Sequence, residues 1–77
     1  MAYATMLRTV KKDGYTHKVM RGERVIVNPG MLGYIAYPVG IHRTRDGGFA
    51  IAGKRCYGFH SVEDFGVTVD PEDVLLD

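Results

Sequence analysis

With 77 residues, 45% of them hydrophobic and 25% charged, the chain has room for one domain and one core. Its single cysteine, Cys56, excludes an internal disulfide and a Cys-rich zinc cage, and fits a reducing compartment. No run approaches the roughly eighteen apolar residues of a membrane span, and Met1–Val10 lacks the apolar core of a signal peptide, so the expectation is a cytoplasmic protein without a membrane partner. So short a chain buries a modest fraction of its surface, and a homo-oligomer is one source of further burial.

The net charge of +1 conceals an uneven distribution. Residues 1–55 hold all ten Lys and Arg against Asp13, Glu23 and Asp46, a net +7, whereas residues 56–77 hold six carboxylates and no Lys or Arg, a net −6. Either the two parts meet and neutralise each other, or the surface is bipolar and steers a charged partner.

Ten glycines and three prolines cut the chain into short runs with an apolar period nearer two than 3.6, the pattern of short strands and tight turns. Tyr3–Val10 alternates as a first strand, Asp13-Gly14 supplies a hairpin turn, and Tyr15–Met20 pairs back on it. After Arg21-Gly22, Glu23–Val27 is a strand with Val25 and Val27 inward. Asn28-Pro29-Gly30 opens a loop ending near Gly33. Tyr34–Arg43 is a strand interrupted by Pro38 and Gly40, and Thr44–Gly48 is the clearest hairpin turn. Phe49–Ala52 and Arg55–His60 follow. Ser61–Asp64 has capping-box spacing for one helical turn, Gly66–Val69 is a strand, and Asp70-Pro71 opens a second turn. Val74, Leu75 and Leu76 form an apolar run that needs burial. The fold class is therefore all-β: five to seven short strands in a small barrel, with one or two single-turn helices.

The order Arg21–Val27, long loop, hairpin, then Val69–Leu75 with its one-turn helix before a last strand resembles the SH3-like small barrels. The resemblance covers residues 21–76 and implies a barrel core there, with residues 1–20 as an added N-terminal hairpin of the same 1–77 domain. It implies no function by itself.

The chemistry-bearing residues are sparse. Cys56 and His60 are the one nucleophile–base pair close in sequence, but four strand positions separate them by about 13 Å. Cys56 reads more simply as a small buried residue, His60 as a turn residue. His17, His42 and His60 sit in separate segments without zinc spacing. Glu63-Asp64 and Glu72-Asp73 fit helix starts, and no phosphate-loop motif is present. Hence the expectation is no enzyme, no metal and no cofactor.

Two binding surfaces remain. Five tyrosines with no Trp offer rigid amphipathic anchors. Tyr34 and Tyr37, with Met31 and Leu32 of the neighbouring loop, form the favoured patch for a protein partner, and the chain would act as an adaptor, subunit or small inhibitor. The alternative is nucleic acid. Arg55–His60 resembles the aromatic strand of RRM and cold-shock domains, which implies that Tyr57 and Phe59 stack bases while Lys54 and Arg55, helped by Arg43 and Arg45, meet phosphates. Cys56 stands where that strand carries glycine. On the protein-binding reading, Tyr57 and Phe59 belong to the core instead.

Overall fold

Ten short strands and two single turns of 3₁₀ helix make up the computed structural model, which describes residues 1–77. The strands are β1 (Ala2–Met6), β2 (Val10–Lys11), β3 (Lys18–Val19), β4 (Arg24–Gly30), β5 (Gly33–Pro38), β6 (Ile41–Arg43), β7 (Phe49–Ile51), β8 (Lys54–Cys56), β9 (Val67–Val69) and β10 (Val74–Leu76). The fold is all-β, as its glycine spacing and alternation require. The strands divide into a five-stranded sheet in the order β10-β1-β4-β5-β9, a three-stranded sheet β6-β7-β8 and the β2–β3 hairpin, and their pairing does not close into one barrel.

The five-stranded sheet has two unlike faces because successive side chains point oppositely. One face carries Ala4, Met6, Val25, Val27, Ala36, Val67, Val69 and Val74, all buried, and is covered by Val19 of β3. Val25 and Val27 point inward as their alternation indicates. A second buried group is aromatic. Phe65 packs edge-on to Phe49 and His17 and stacks on Phe59 at 4.2 Å between ring centroids, and Phe59 in turn stacks on Tyr15. This group ties the β2–β3 hairpin and the three-stranded sheet to the turn before β9.

Both 3₁₀ turns, Val62–Phe65 and Pro71–Asp73, lie where the capping patterns place them. Asp64 accepts the His60 and Ser61 backbone N–H groups at 2.7 and 3.1 Å, and Asp73 accepts that of Asp70 at 2.9 Å. Asp73 is buried and also takes a forked pair of hydrogen bonds from Arg8.

Three sequence expectations are corrected. Tyr15–Met20 does not pair along Tyr3–Val10; only Val10 and Lys11 meet Val19 and Lys18, while β1 lies between β10 and β4. The division into an added hairpin 1–20 and a core 21–76 therefore does not follow the pairing. Second, Asn28–Gly33 is not a long loop: β4 runs through Gly30, and a two-residue link, Met31-Leu32, returns directly into β5. Third, of the C-terminal apolar run only Val74 is buried, since β10 is an edge strand and Leu75 faces away from the core at 61% exposure.

The charged halves meet. Arg8 pairs with Asp73, Arg24 with Asp77, and Lys12 donates to the Asp64 carbonyl. The third ion pair, Arg55–Asp46, stays within the basic part.

Candidate protein-docking face

The β4–β5 hairpin outreaches its neighbours. β1 pairs with β4 only as far as Val27, and β9 meets β5 only from Tyr34 onward, so β4 has no β1 neighbour beyond Val27 and the Gly30–Gly33 end of the hairpin reaches past the last pairs of both flanking strands as a two-stranded finger. Pro29 is tolerated there because β4 has only one neighbour at that point. Gly33 makes the reversal, with φ +139° and its Cα so near the Val69 carbonyl that a Cβ would lie 2.7 Å from the oxygen. At the tip Met31 is fully exposed and Leu32 is 83% exposed. Folding leaves both apolar side chains in water.

The four candidate residues do not form one patch. Met31, Leu32 and Tyr34 border a shallow pocket of about 230 Å³ at the tip, with the Tyr34 ring packed partly onto the core. Tyr37 is three positions further along the strand and so lies on the opposite face. There it lines a groove of about 370 Å³ with Ile26, Val39, Ile41, Val62 and Met1. Gly66 sets the Tyr37 ring: a Cβ on it would come within 3.1 Å of that ring and 2.7 Å of Ile35 Cγ2, so only glycine lets both side chains lie flat there. Asn28 and Glu63 are the polar side chains of the groove.

Ile26, Val39, Ile41 and Val62 were not among the candidates, although a signal for most of them is present in the chain. Every residue from Val25 to Ile41 is uncharged, in a protein one quarter charged. That run builds the finger, β5 and all of β4 except Arg24, which stands at the start of the strand on the outer face, over the Tyr3 ring and paired with Asp77.

The nucleic-acid candidates are only partly gathered. Lys54 and Arg55 lie on β8 and Arg43 on β6, with Arg45 in the turn between β6 and β7. Arg55 is engaged by Asp46 at 2.5 Å, and the Arg43 guanidinium covers the Phe49 ring at 4.8 Å. Hydrogen bonds from Thr44, then from Arg55 and the Gly48 N–H, pull the Asp46 carboxyl down to about 2. Tyr57 and Phe59 do not share a strand face, because β8 ends at Cys56. Nor are both core residues: Phe59 is half-buried in the aromatic stack, whereas Tyr57 is 78% exposed and touches the Arg55 guanidinium.

The remaining reactive side chains are scattered. The Cys56 thiol is only half-buried and contacts the Lys54 carbonyl. His17 Nε2 meets the Phe65 carbonyl at 3.1 Å, and burial pushes its pKa down against that hydrogen bond. His42 and His60 are exposed. What the geometry does bring together is an apolar groove beside Tyr37, with Asn28 and Glu63 as its polar side chains, and an exposed apolar tip at Met31 and Leu32. In comparisons with protein-family models, curated proteins and solved structures, the chain has no match.

Proposed function

We propose that the chain is a non-catalytic protein-binding module, an adaptor, subunit or small inhibitor that docks through the uncharged part of the β4–β5 outer face, from Ile26 to Tyr37, and the finger between the two strands. The observation that carries this reading is the exposure of Met31 and Leu32 side by side at the finger's tip. Burying two such side chains contributes roughly 1.5–3 kcal/mol each, a large share of the roughly 8 kcal/mol of a micromolar complex. A two-residue link on a paired ribbon also holds them with little conformational freedom to lose on binding. The likeness to SH3-like barrels is a reading of the fold, supported by the single 3₁₀ turn Pro71–Asp73 leading into the short last strand.

The test is a pair of substitutions, Met31→Ser with Leu32→Ser. Both sites are exposed, so the melt should be unchanged, while capture of a specific protein by the tagged chain should be lost. Capture that survives the double change overturns the reading.

One observation favours nucleic acid as a second reading: Tyr57 is exposed beside Lys54 and Arg55. It requires log-linear loss of oligonucleotide affinity with salt and a loss of roughly 1–3 kcal/mol of binding in Tyr57→Ala. The engagement of Arg55 by Asp46 weighs against it.

A further inference from the structure

We infer that the groove beside Tyr37 receives an arginine side chain of the docked protein, its guanidinium lying over the Tyr37 ring and its N–H groups meeting Glu63 and Asn28. The inference rests on the reading of the β4–β5 face as a protein-docking surface and names the residue that the partner brings to it. The groove has a volume of about 370 Å³, at the low end for pockets that hold small ligands, so it suits one long side chain rather than a cofactor. Its floor is the cross-strand pair Ile26 and Tyr37, and Val39, Ile41 and Val62 wall it. Walls of that kind accept the aliphatic stem of a long basic residue. Glu63 is the one charged side chain among the lining residues, and no Lys, Arg or His side chain borders it.

The Glu63 carboxylate is available to a cation. It belongs to none of the three ion pairs of the fold, and the Met1 α-amino group pairs with no carboxylate either. The capping hydrogen bonds of its turn go to Asp64 instead. The turn itself is pinned, because the Glu63 carbonyl accepts the Gly66 N–H at 3.1 Å. Hydrogen bonds from the His60 N–H, and then from the Ser61 N–H, hold the neighbouring Asp64 carboxyl below the usual carboxylate range, so it stays ionised. Both carboxylates lie in the stretch 56–77, which carries six acidic residues and no Lys or Arg. A groove that is apolar inside and negative at its rim selects a cation on an apolar stem. Arginine fits it better than lysine for two reasons. The planar guanidinium stacks on an aromatic face, whereas an ammonium is a compact point charge. It also has five N–H donors in a fixed fork, enough for the Glu63 carboxylate and the Asn28 amide carbonyl together.

The probe is the peptide acetyl-Leu-Arg-Leu-amide, titrated into the isotope-labelled chain and followed by amide NMR shifts. The Ile26, Tyr37, Val62 and Glu63 amides should shift together and saturate in the millimolar range. The citrulline analogue, which keeps the shape of arginine and lacks its charge, should bind about tenfold or more weakly, since charge-assisted hydrogen bonds are the stronger class. Glu63→Gln should erase the difference between arginine and citrulline and leave the melt unchanged, because Glu63 is exposed. Glu72→Gln, an equally exposed carboxylate on the other 3₁₀ turn, should keep the difference. Equal binding of the two peptides, tighter binding of a lysine analogue, shifts that gather away from the groove, or no saturable shift in the millimolar range overturns the inference. If the arginine peptide fails in one of these ways but the Met31→Ser, Leu32→Ser pair abolishes capture of a specific protein, the docking reading stands and the arginine is wrong. If capture also survives that pair, both fall.

Discussion

Phe59 and Tyr57 are two residues apart, and truncating each to alanine should give opposite results. Phe59 stacks on Phe65 with ring planes 8° apart, on Tyr15 at 5.4 Å, and meets His17 edge-on at 5.6 Å. Removing a fully buried Phe costs about 3–5 kcal/mol; Phe59 is half-buried, so about 2–3 kcal/mol is the corresponding figure. A domain of this length is stable by about 4–12 kcal/mol, so Phe59→Ala should lower the denaturation midpoint in urea by a large fraction. Tyr57 is mostly solvated and touches only a guanidinium that Asp46 already holds. Tyr57→Ala should therefore stay within about 0.5 kcal/mol of the parent. Equilibrium unfolding followed by circular dichroism measures both. Equal destabilisation by the two variants would refute the placement of the 57–59 segment. So would a Phe59→Ala protein as stable as the parent.

Four further outcomes follow from contacts elsewhere in the fold. The forked Arg8 hydrogen bonds, reinforced by the Asp70 N–H, hold the Asp73 carboxyl below the usual carboxylate range. Stability from Asp73 is thus present above the unfolded value near 3.9 and is lost as pH falls through its lower folded value. Asp73→Asn should flatten the acid limb of a stability–pH curve and lower the plateau at pH 7. His17 has its pKa depressed by burial, so the unfolded chain takes up a proton first and stability should fall as pH drops from about 6.5; His17→Gln should remove that slope in urea titrations between pH 7 and 5. Gly47, at φ +84° with open space around it, should tolerate Val at a cost on the order of 1 kcal/mol. Gly33→Ala should cost clearly more in the same melt, because its Cβ would meet the Val69 carbonyl.

Local chemistry was legible in the sequence and long-range pairing was not. Asp13-Gly14 and Asp46-Gly47 mark turns whose glycines do adopt φ of +80° and +84°. Ser61–Asp64 and Asp70–Asp73 mark the two helical turns through carboxylates that accept the preceding backbone N–H groups. Val25 and Val27 are inward because alternation in a half-buried strand fixes the face. Alternation does not choose the partner strand: it offers the first strand its nearest neighbour, Tyr15–Met20, whereas the ladder runs to Arg24–Val27 and Val74–Leu76. Asn-Pro-Gly is strong loop punctuation and hides the finger in the sequence; only the missing β1 neighbour lets Pro29 sit in a strand. Tyrosine usage points to Tyr34 and Tyr37, and the neighbouring Asn28–Gly33 punctuation to Met31 and Leu32. The groove beside Tyr37 is not legible, because its walls come from the turn after β5, from β6 and from the 3₁₀ turn at Val62, which approach one another only in the folded chain.

The central claim, that the β4–β5 face is a protein-docking surface, is tested most directly by placing a photoreactive amino acid at position 31 and irradiating cells that express the chain. The account predicts a discrete cross-linked protein species from position 31 and none from position 13, on the β2–β3 turn. No cross-link from position 31, or the same diffuse products from both positions, would contradict it.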